Sequence, residues 1–390
     1  MGILRLVLAL AVVISHTSTR LNKTAVPGTV AVQAFFIISG YYIALILDRK
    51  YRFAGGTRLF YQQRYLRLAP MYWLAILGTL GAGAFYTVLS HHPAGIFAIL
   101  ARHGAHLSPA SIAVLCLTQV TMLGQDAMIF FSMSGQPLAL RFTPYWPAGA
   151  LPAERFLLSP VAWSLSVELL FYLSAPFLVR RSVRFQLALV SIIFALRAFA
   201  ISHWSLALFP WNCRFFLFEA ALFLLGSVAY RLLPRAENLV RSCRSLRPVI
   251  TTVMAAAILC YNWIPLPDEA RHWSFLALIA MSIPLLFAAT QRDRVDRWIA
   301  EMSYPLYLLH QVTLFAAEPL LRRTSGITNE FVVLLLPLGT AALAYSLIER
   351  PFESWRARRY ERSVAAAKWQ ASQMLETAPN AGVALSSPGS

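Results

Sequence analysis

The sequence predicts an all-α fold: a polytopic integral membrane helical bundle of about ten transmembrane helices, with both termini cytoplasmic. Three observations predict it. Of 390 residues, 58% are hydrophobic and only 13% charged, with a mean hydropathy of +0.59. A soluble domain carries about 25% charged residues, so this much apolar chain cannot be hidden in one soluble core. Apolar stretches long enough, or nearly so, to cross a ~30 Å hydrocarbon core recur along the whole chain. The cations, which give a formal net charge of +17, are mostly arginines gathered on alternate loops, which is a topology signal. No Lys/Arg tract is interleaved with aromatics to form a nucleic-acid groove, so no nucleic-acid partner is expected.

The stretches fall at residues 3–19, 30–47, 68–89, 161–179, 185–203, 215–233, 248–264, 273–289, 299–320 and 331–348. The first lacks a small-residue cleavage site and is followed by equally apolar ones, so it reads as a retained span and not a signal peptide. An eleventh candidate, 111–131, is interrupted by Thr118, Gln119, Thr121, Gln125 and Asp126. Ten spans put Arg49 to Arg67, Arg180 to Arg184, Arg231 to Arg247 (with Arg244), Arg292 to Arg297 and the 350–368 cluster on one side, the cytoplasm. Counting 111–131 as a span would reverse the later basic loops, so it reads as re-entrant or interfacial.

The membrane domain is then 1–355. It includes an external loop at about 90–160, rich in turn signals such as Ser134-Gly-Gln-Pro and Thr143-Pro-Tyr-Trp-Pro. Two readings of that loop are open, a lid or binding surface and a variable surface loop. Residues 356–390 read as a basic cytoplasmic tail that turns disordered after Trp369. Cys116, Cys213, Cys243 and Cys260 are scattered, and His91, His92, His103 and His106 fit no standard ligand spacing. No metal is expected.

Ionisable residues inside apolar stretches need a reason. His16 lies eleven residues beyond Arg5 in the first span, roughly 16 Å deeper. It is either functional or a histidine satisfied by a neighbouring helix or the interface. Arg64 and Arg67 are three apart on one helical face, which suits a phosphate ligand and equally suits a headgroup anchor. Trp163 opens the fourth span and Ser164 follows it. Glu168 lies a turn and a half deeper and needs a cation, a histidine or water. Arg197, the Arg214–Glu219 pair and His310 read as structural ties or site residues. Ser39 and Ser164 could be nucleophiles, though neither has a local signature. His, Glu and Arg together suit proton abstraction from a hydroxyl beside an anionic cofactor. They also suit a proton-coupled transporter.

Several stretches resemble, in order and interval, the acyltransferase-3 family of membrane acyltransferases. They are Arg5-Leu-Val-Leu-Ala-Leu-Ala-Val-Val-Ile-Ser-His16, Phe35-Phe-Ile-Ile-Ser-Gly40 and Arg64-Tyr-Leu-Arg-Leu-Ala-Pro70. Later come Trp163-Ser-Leu-Ser-Val-Glu168 with Phe171-Tyr-Leu, Ser303-Tyr-Pro-Leu-Tyr-Leu-Leu-His310 and Ile348-Glu-Arg-Pro-Phe352. The chain departs from the pattern at Leu169-Leu170, where the family carries an acidic or polar residue, and in its short N-terminal lead. It resembles the form without an extracellular hydrolase-like domain. The resemblance implies transfer of an acyl group, most often acetyl, from acyl-CoA to a hydroxyl of an envelope carbohydrate or glycolipid, in the bacterial inner membrane. It implies Arg64 and Arg67 as ligands of the acyl-CoA phosphates, and His16 as base or acyl relay. Glu168 would orient His16 or contact the acceptor. Ser39, Trp163, Ser164, Arg197, Tyr304 and His310 are substrate or supporting candidates. The alternatives are a transporter or flippase for a glycan or amphiphile without covalent chemistry, and a non-catalytic membrane partner. Membrane lipid is a partner in every case, and homo-oligomerisation is left open.

Overall fold

In the computed structural model the described residues are 1–377 apart from 18, 145–148, 205, 207–208, 244 and 325. Arg244, the middle of Thr143-Pro-Tyr-Trp-Pro and the tail beyond 377 therefore lie outside the described residues. The chain starts with α1 (Gly2–Ser15), α2 (Gly28–Arg49) and α3 (Gly56–Ser90). The segment between α3 and α6 follows, with α4 (Ile96–His103), α5 (Pro109–Thr121) and the strands β1 (Phe131–Ser134), β2 (Ala139–Phe142) and β3 (Leu151–Pro152). Then come α6 (Trp163–Leu178), α7 (Val183–Trp204), the short α8 (Trp211–Arg214), α9 (Phe216–Tyr230), α10 (Leu233–Ser242) and α11 (Leu246–Leu259). The chain continues through α12 (Asp268–Thr290), α13 (Arg294–Ala316), the short α14 (Glu318–Leu321) and α15 (Gly326–Ala344). A π-turn (Tyr345–Glu349) leads into α16 (Arg350–Thr377).

Among the described residues seven helical stretches are long and apolar enough to cross a membrane: α2, α3, α6 with the turn before it (Pro160–Leu178), α7, the joined α8–α9 (Trp211–Tyr230), α12 and the continuous α15–α16. The three other expected spans belong to the same bundle but differ in kind. α1 and α11 have 14 residues each, about 21 Å of helix. α13 carries Arg294, Asp296, Arg297 and Glu301 in its first turns. The expected first span also ends early, at Ser15, because the chain leaves the helix at His16.

The outside of the bundle is apolar and exposed, with Leu77, Phe85 and Val88 on α3, Ile192 and Phe199 on α7, and Leu335 and Leu343 on α15. That inversion of a soluble surface is what lipid requires. α2 and α9 lie backbone to backbone at Gly40 and Gly226. A Cβ on Gly40 would stand 1.9 Å from the Phe223 carbonyl oxygen, and one on Gly226 would stand 1.9 Å from that of Ile37. Small residues at such crossings let helix backbones touch where no hydrophobic force drives association.

The fold is all-α, as expected, with one small sheet between α3 and α6. β1 pairs antiparallel with β2 and with β3, in the order β2-β1-β3. The Ser134-Gly-Gln-Pro turn closes the β1–β2 hairpin. This segment between α3 and α6 has its own core of Leu115, Met128, Met133, Phe156 and Leu157. It is tied to the bundle by the Ser166 hydroxyl, which donates to Asp126 at 2.6 Å, and by the Gly124 N–H, which donates back to Ser166 at 2.8 Å. Burial pushes the Asp126 carboxyl up, and the Ser166 hydroxyl pulls it partly back. α5, at 13 residues, is too short to span. Ile112, Leu117 and Val120 leave its outer face apolar.

Among the described residues one end of the bundle gathers the cations of 49–58, 180–184, 231–241, Arg247, those of 292–297 and the start of α16; this is the arginine-rich end. α16 runs unbroken through the expected 355/356 boundary and packs back on the bundle, where the Tyr360 hydroxyl donates to the Lys50 carbonyl at 2.9 Å.

Candidate active site

A cavity of about 370 Å³ opens between α2, α3, α6, α13 and α16. Six cations line it, Arg5, Lys50, Arg64, Arg67, Arg297 and Arg356, against the carboxylates Glu168, Glu301 and Glu353. The structure thus brings both sequence-predicted arginines of α3 to one wall. Arg67 Nη1 donates to Glu353 Oε1 at 3.0 Å, and Arg356 Nη2 donates to the same oxygen at 3.0 Å. The Nε of Arg64 is buried and makes no hydrogen bond among the described residues. Burial, then the guanidiniums of Arg64 and Arg356, lower the Lys50 ammonium below its ordinary range. Cations crowded this closely favour an anion. Sequence reasoning found only Arg64 and Arg67. Arg356 and Glu353 sit in a run that reads as a solvated basic tail, and their i, i+3 spacing was the one available signal.

Deeper in, the wall is hydroxyl-rich. Ser39 and Tyr172 both donate to Glu168 Oε1. The Tyr304 hydroxyl donates to the Leu68 carbonyl at 2.7 Å. Ser164 Oγ and the Tyr307 hydroxyl are 2.7 Å apart, and Tyr307 also donates to the Val161 carbonyl at 3.1 Å. Ser39, Ser164, Glu168, Tyr304 and Tyr307 all line the cavity.

His16 is not in that lining. It sits exposed where α1 ends, against the fully buried His310 of α13. The rings are 5.0 Å apart, with His310 Nε2 3.3 Å from His16 Nδ1. Two carbonyls fix the tautomers, because a carbonyl can only accept. His310 Nδ1 is 2.7 Å from the Tyr307 carbonyl oxygen and must carry a proton to it, which leaves Nε2 as a lone pair. His16 Nδ1 is 2.9 Å from the Val12 carbonyl oxygen and is likewise the N–H, shared with His310 Nε2. The free lone pair of the dyad is therefore His16 Nε2. The Tyr307 ring stands 6.2 Å from His310 and separates the dyad from the cavity.

Two expectations change. Glu168 does not orient His16: it lies five residues below Trp163, its partners are Ser39 and Tyr172, and the residue that holds His16 is His310. Glu219 does not pair with Arg214. It is fully buried, accepts from Gln33 Nε2 at 3.0 Å and stands 3.8 Å from Arg197. Gln33 Oε1 accepts in turn from His272 at 2.6 Å. Arg197 also donates to the Asn212 carbonyl at 2.7 Å and stacks on Trp273. This network ties α2, α7, α9 and α12 together away from the cavity. Arg214 instead pairs with Glu154 of the segment between α3 and α6 at 3.0 Å and stacks 4.8 Å over Trp163. Trp163 is therefore 6% exposed and no interfacial belt residue. Among the described residues, no group of three or more His, Cys, Asp or Glu is placed to hold a metal.

The family model described as an acyltransferase domain, of the acyltransferase-3 type, matches residues 1–348. Comparisons with curated proteins and with solved structures give no match. The chain belongs to this acyltransferase family.

Proposed function

We propose that this membrane acyltransferase moves an acyl group, most often acetyl, from acyl-CoA to a hydroxyl of an envelope carbohydrate or glycolipid. The observation that carries the reading is the graded cavity, with cations at its mouth and hydroxyls within, and a histidine dyad beyond its inner wall. The donor's phosphates fit Arg64, Arg67 and their neighbours, because planar guanidiniums bond phosphate oxygens in pairs. Its acylated arm then runs inward past Ser39 and Glu168 toward Tyr307.

His16 Nε2 takes the proton of the acceptor hydroxyl as that oxygen attacks the thioester carbonyl. The carbon–sulfur bond breaks, and the CoA thiolate leaves with the proton that His16 releases. The imidazolium formed in between keeps its Nδ1–H on the Val12 carbonyl and His310 Nε2, which holds the ring in place. Most of the remaining catalysis is placement, since a thioester is already electrophilic. On the positive-inside rule the arginine-rich end faces the cytoplasm, where acyl-CoA is made, and the membrane of this proposal is the bacterial inner membrane.

The test compares envelope glycans from cells with and without the protein by mass spectrometry. A mass difference of one acyl group, lost again in a His16→Ala strain, is the expected outcome. Identical glycans in every envelope fraction would sink the carbohydrate acceptor. Movement of a glycan or amphiphile without covalent change would favour the transport alternative.

A further inference from the structure

The family match ends at residue 348, and α16 begins at Arg350. We infer that α16, outside the matched domain, completes the donor site: Arg356 binds a phosphate of the acyl donor, and Glu353 occupies that phosphate's place until the donor arrives. The inference rests on the acyl-CoA reading.

Arg356 is built into the cavity wall. It is 8% exposed, donates through Nη1 to the Gln63 carbonyl at 3.2 Å, and its own carbonyl accepts from Gln63 Nε2 at 3.4 Å. Those bonds fix the α16 backbone against α3, one turn from Arg67. The second amino group of Arg356 meets Arg67 on a single oxygen, Glu353 Oε1. One anionic oxygen held between two guanidiniums is how a phosphate oxygen is bound. Glu353 supplies one negative charge to a wall that also holds Arg64 and Lys50. The buried, unpaired Nε of Arg64 marks an acceptor the carboxylate does not supply. A phosphate brings more charge and more acceptor oxygens, so it outcompetes the carboxylate. The Glu353 side chain, 30% exposed, can then turn to water. A phospholipid headgroup presents the same phosphate chemistry at this face.

The experiment uses the full chain, as wild type, Arg356→Ala and Glu353→Gln, in nanodiscs of phosphatidylcholine with and without phosphatidylglycerol. Donors are acetyl-CoA and S-acetylpantetheine, which has the same reactive arm and no phosphate. Arg356→Ala should raise the KM for acetyl-CoA about tenfold or more, and that for S-acetylpantetheine far less. Glu353→Gln should lower the KM for acetyl-CoA several-fold, because it removes the competing anion. Equal shifts for both donors in Arg356→Ala would mean a structural role and overturn the proposal. So would a raised KM in Glu353→Gln, or a donor difference confined to phosphatidylglycerol nanodiscs, which would give the site to a headgroup. Binding of CoA by wild type and Arg356→Ala with equal affinity strikes this inference alone. If wild type binds no CoA, the acyl-CoA reading fails and takes the inference with it.

Discussion

A histidine at a helix end becomes a directed base only when one of its nitrogens is tied down. His16 gains that from two acceptors, the Val12 carbonyl and His310 Nε2. Replacing His16 by alanine should cost about a hundredfold or more in kcat while CoA binding persists, as loss of a general base does. His310→Ala should cost about tenfold, and His310→Gln should recover part of it, because a glutamine oxygen can still accept the His16 N–H. Label transfer from acetyl-CoA measures both, and equal rates in the alanine and glutamine variants would show that His310 only fills space. Lys50 adds a pH signature. Its ammonium is held below the ordinary lysine range, so it discharges sooner as pH rises. An anionic donor binds the charged form, so affinity for acetyl-CoA is full below that lowered pKa and falls as pH rises through it. The fall should shrink in Lys50→Gln, and the part that remains belongs to Arg356, which burial and then the guanidiniums of Arg67 and Arg64 push down to about 10. At this scale sequence picked out the Arg64–Arg67 pair and, separately, His16 and His310. It did not join the two histidines, because they are 294 residues apart and no spacing rule reaches that far.

At the scale of elements, the position of Ser39 depends on its neighbour in sequence. Gly40 lets α2 lie against the α9 backbone, and Gly226 does the same from α9. A methyl group at either glycine would meet a carbonyl oxygen at about half the normal separation, so the helices must part. Gly226→Ala should cost about 3 kcal/mol in thermal or denaturant unfolding in detergent, at the upper end of overpacking effects. It should also lower kcat by displacing Ser39 from Glu168. An unchanged melting temperature would show that the crossing is looser than its geometry. The apolar stretches made most helices legible, since lipid-facing and core positions are both apolar. Their ends were less so. α1 stops at Ser15, α13 starts inside a charged run, and the β1–β2 hairpin depends on four turn residues in a segment otherwise without periodicity. The docking of α16 was hidden because a basic helix that caps a cavity has the same composition as one in water.

The whole molecule is polar from end to end. Its cavity mouth lies with the arginines, and His16 is exposed at the opposite end of α1. Tyr307 and Ser164, hydrogen-bonded to each other, line the cavity, and the Tyr307 ring stands 6.2 Å from that of His310. Phosphates are costly to carry through hydrocarbon, whereas an acyl group on a slender arm is not. An architecture of this kind need pass only the acyl group, with the nucleotide left at the mouth. In proteoliposomes sorted to one orientation, acetyl-CoA should support transfer only from the arginine-rich face, and an acceptor only from the His16 face. Raising salt should weaken donor use, because the exposed cations at the mouth act over a Debye length of about 8 Å that shrinks with ionic strength. It should leave the acceptor KM nearly unchanged, since an uncharged carbohydrate hydroxyl has no charge to screen. Transfer from acetyl-CoA supplied only at the His16 face, at the rate seen from the arginine-rich face, would show that the basic mouth is not where the donor enters.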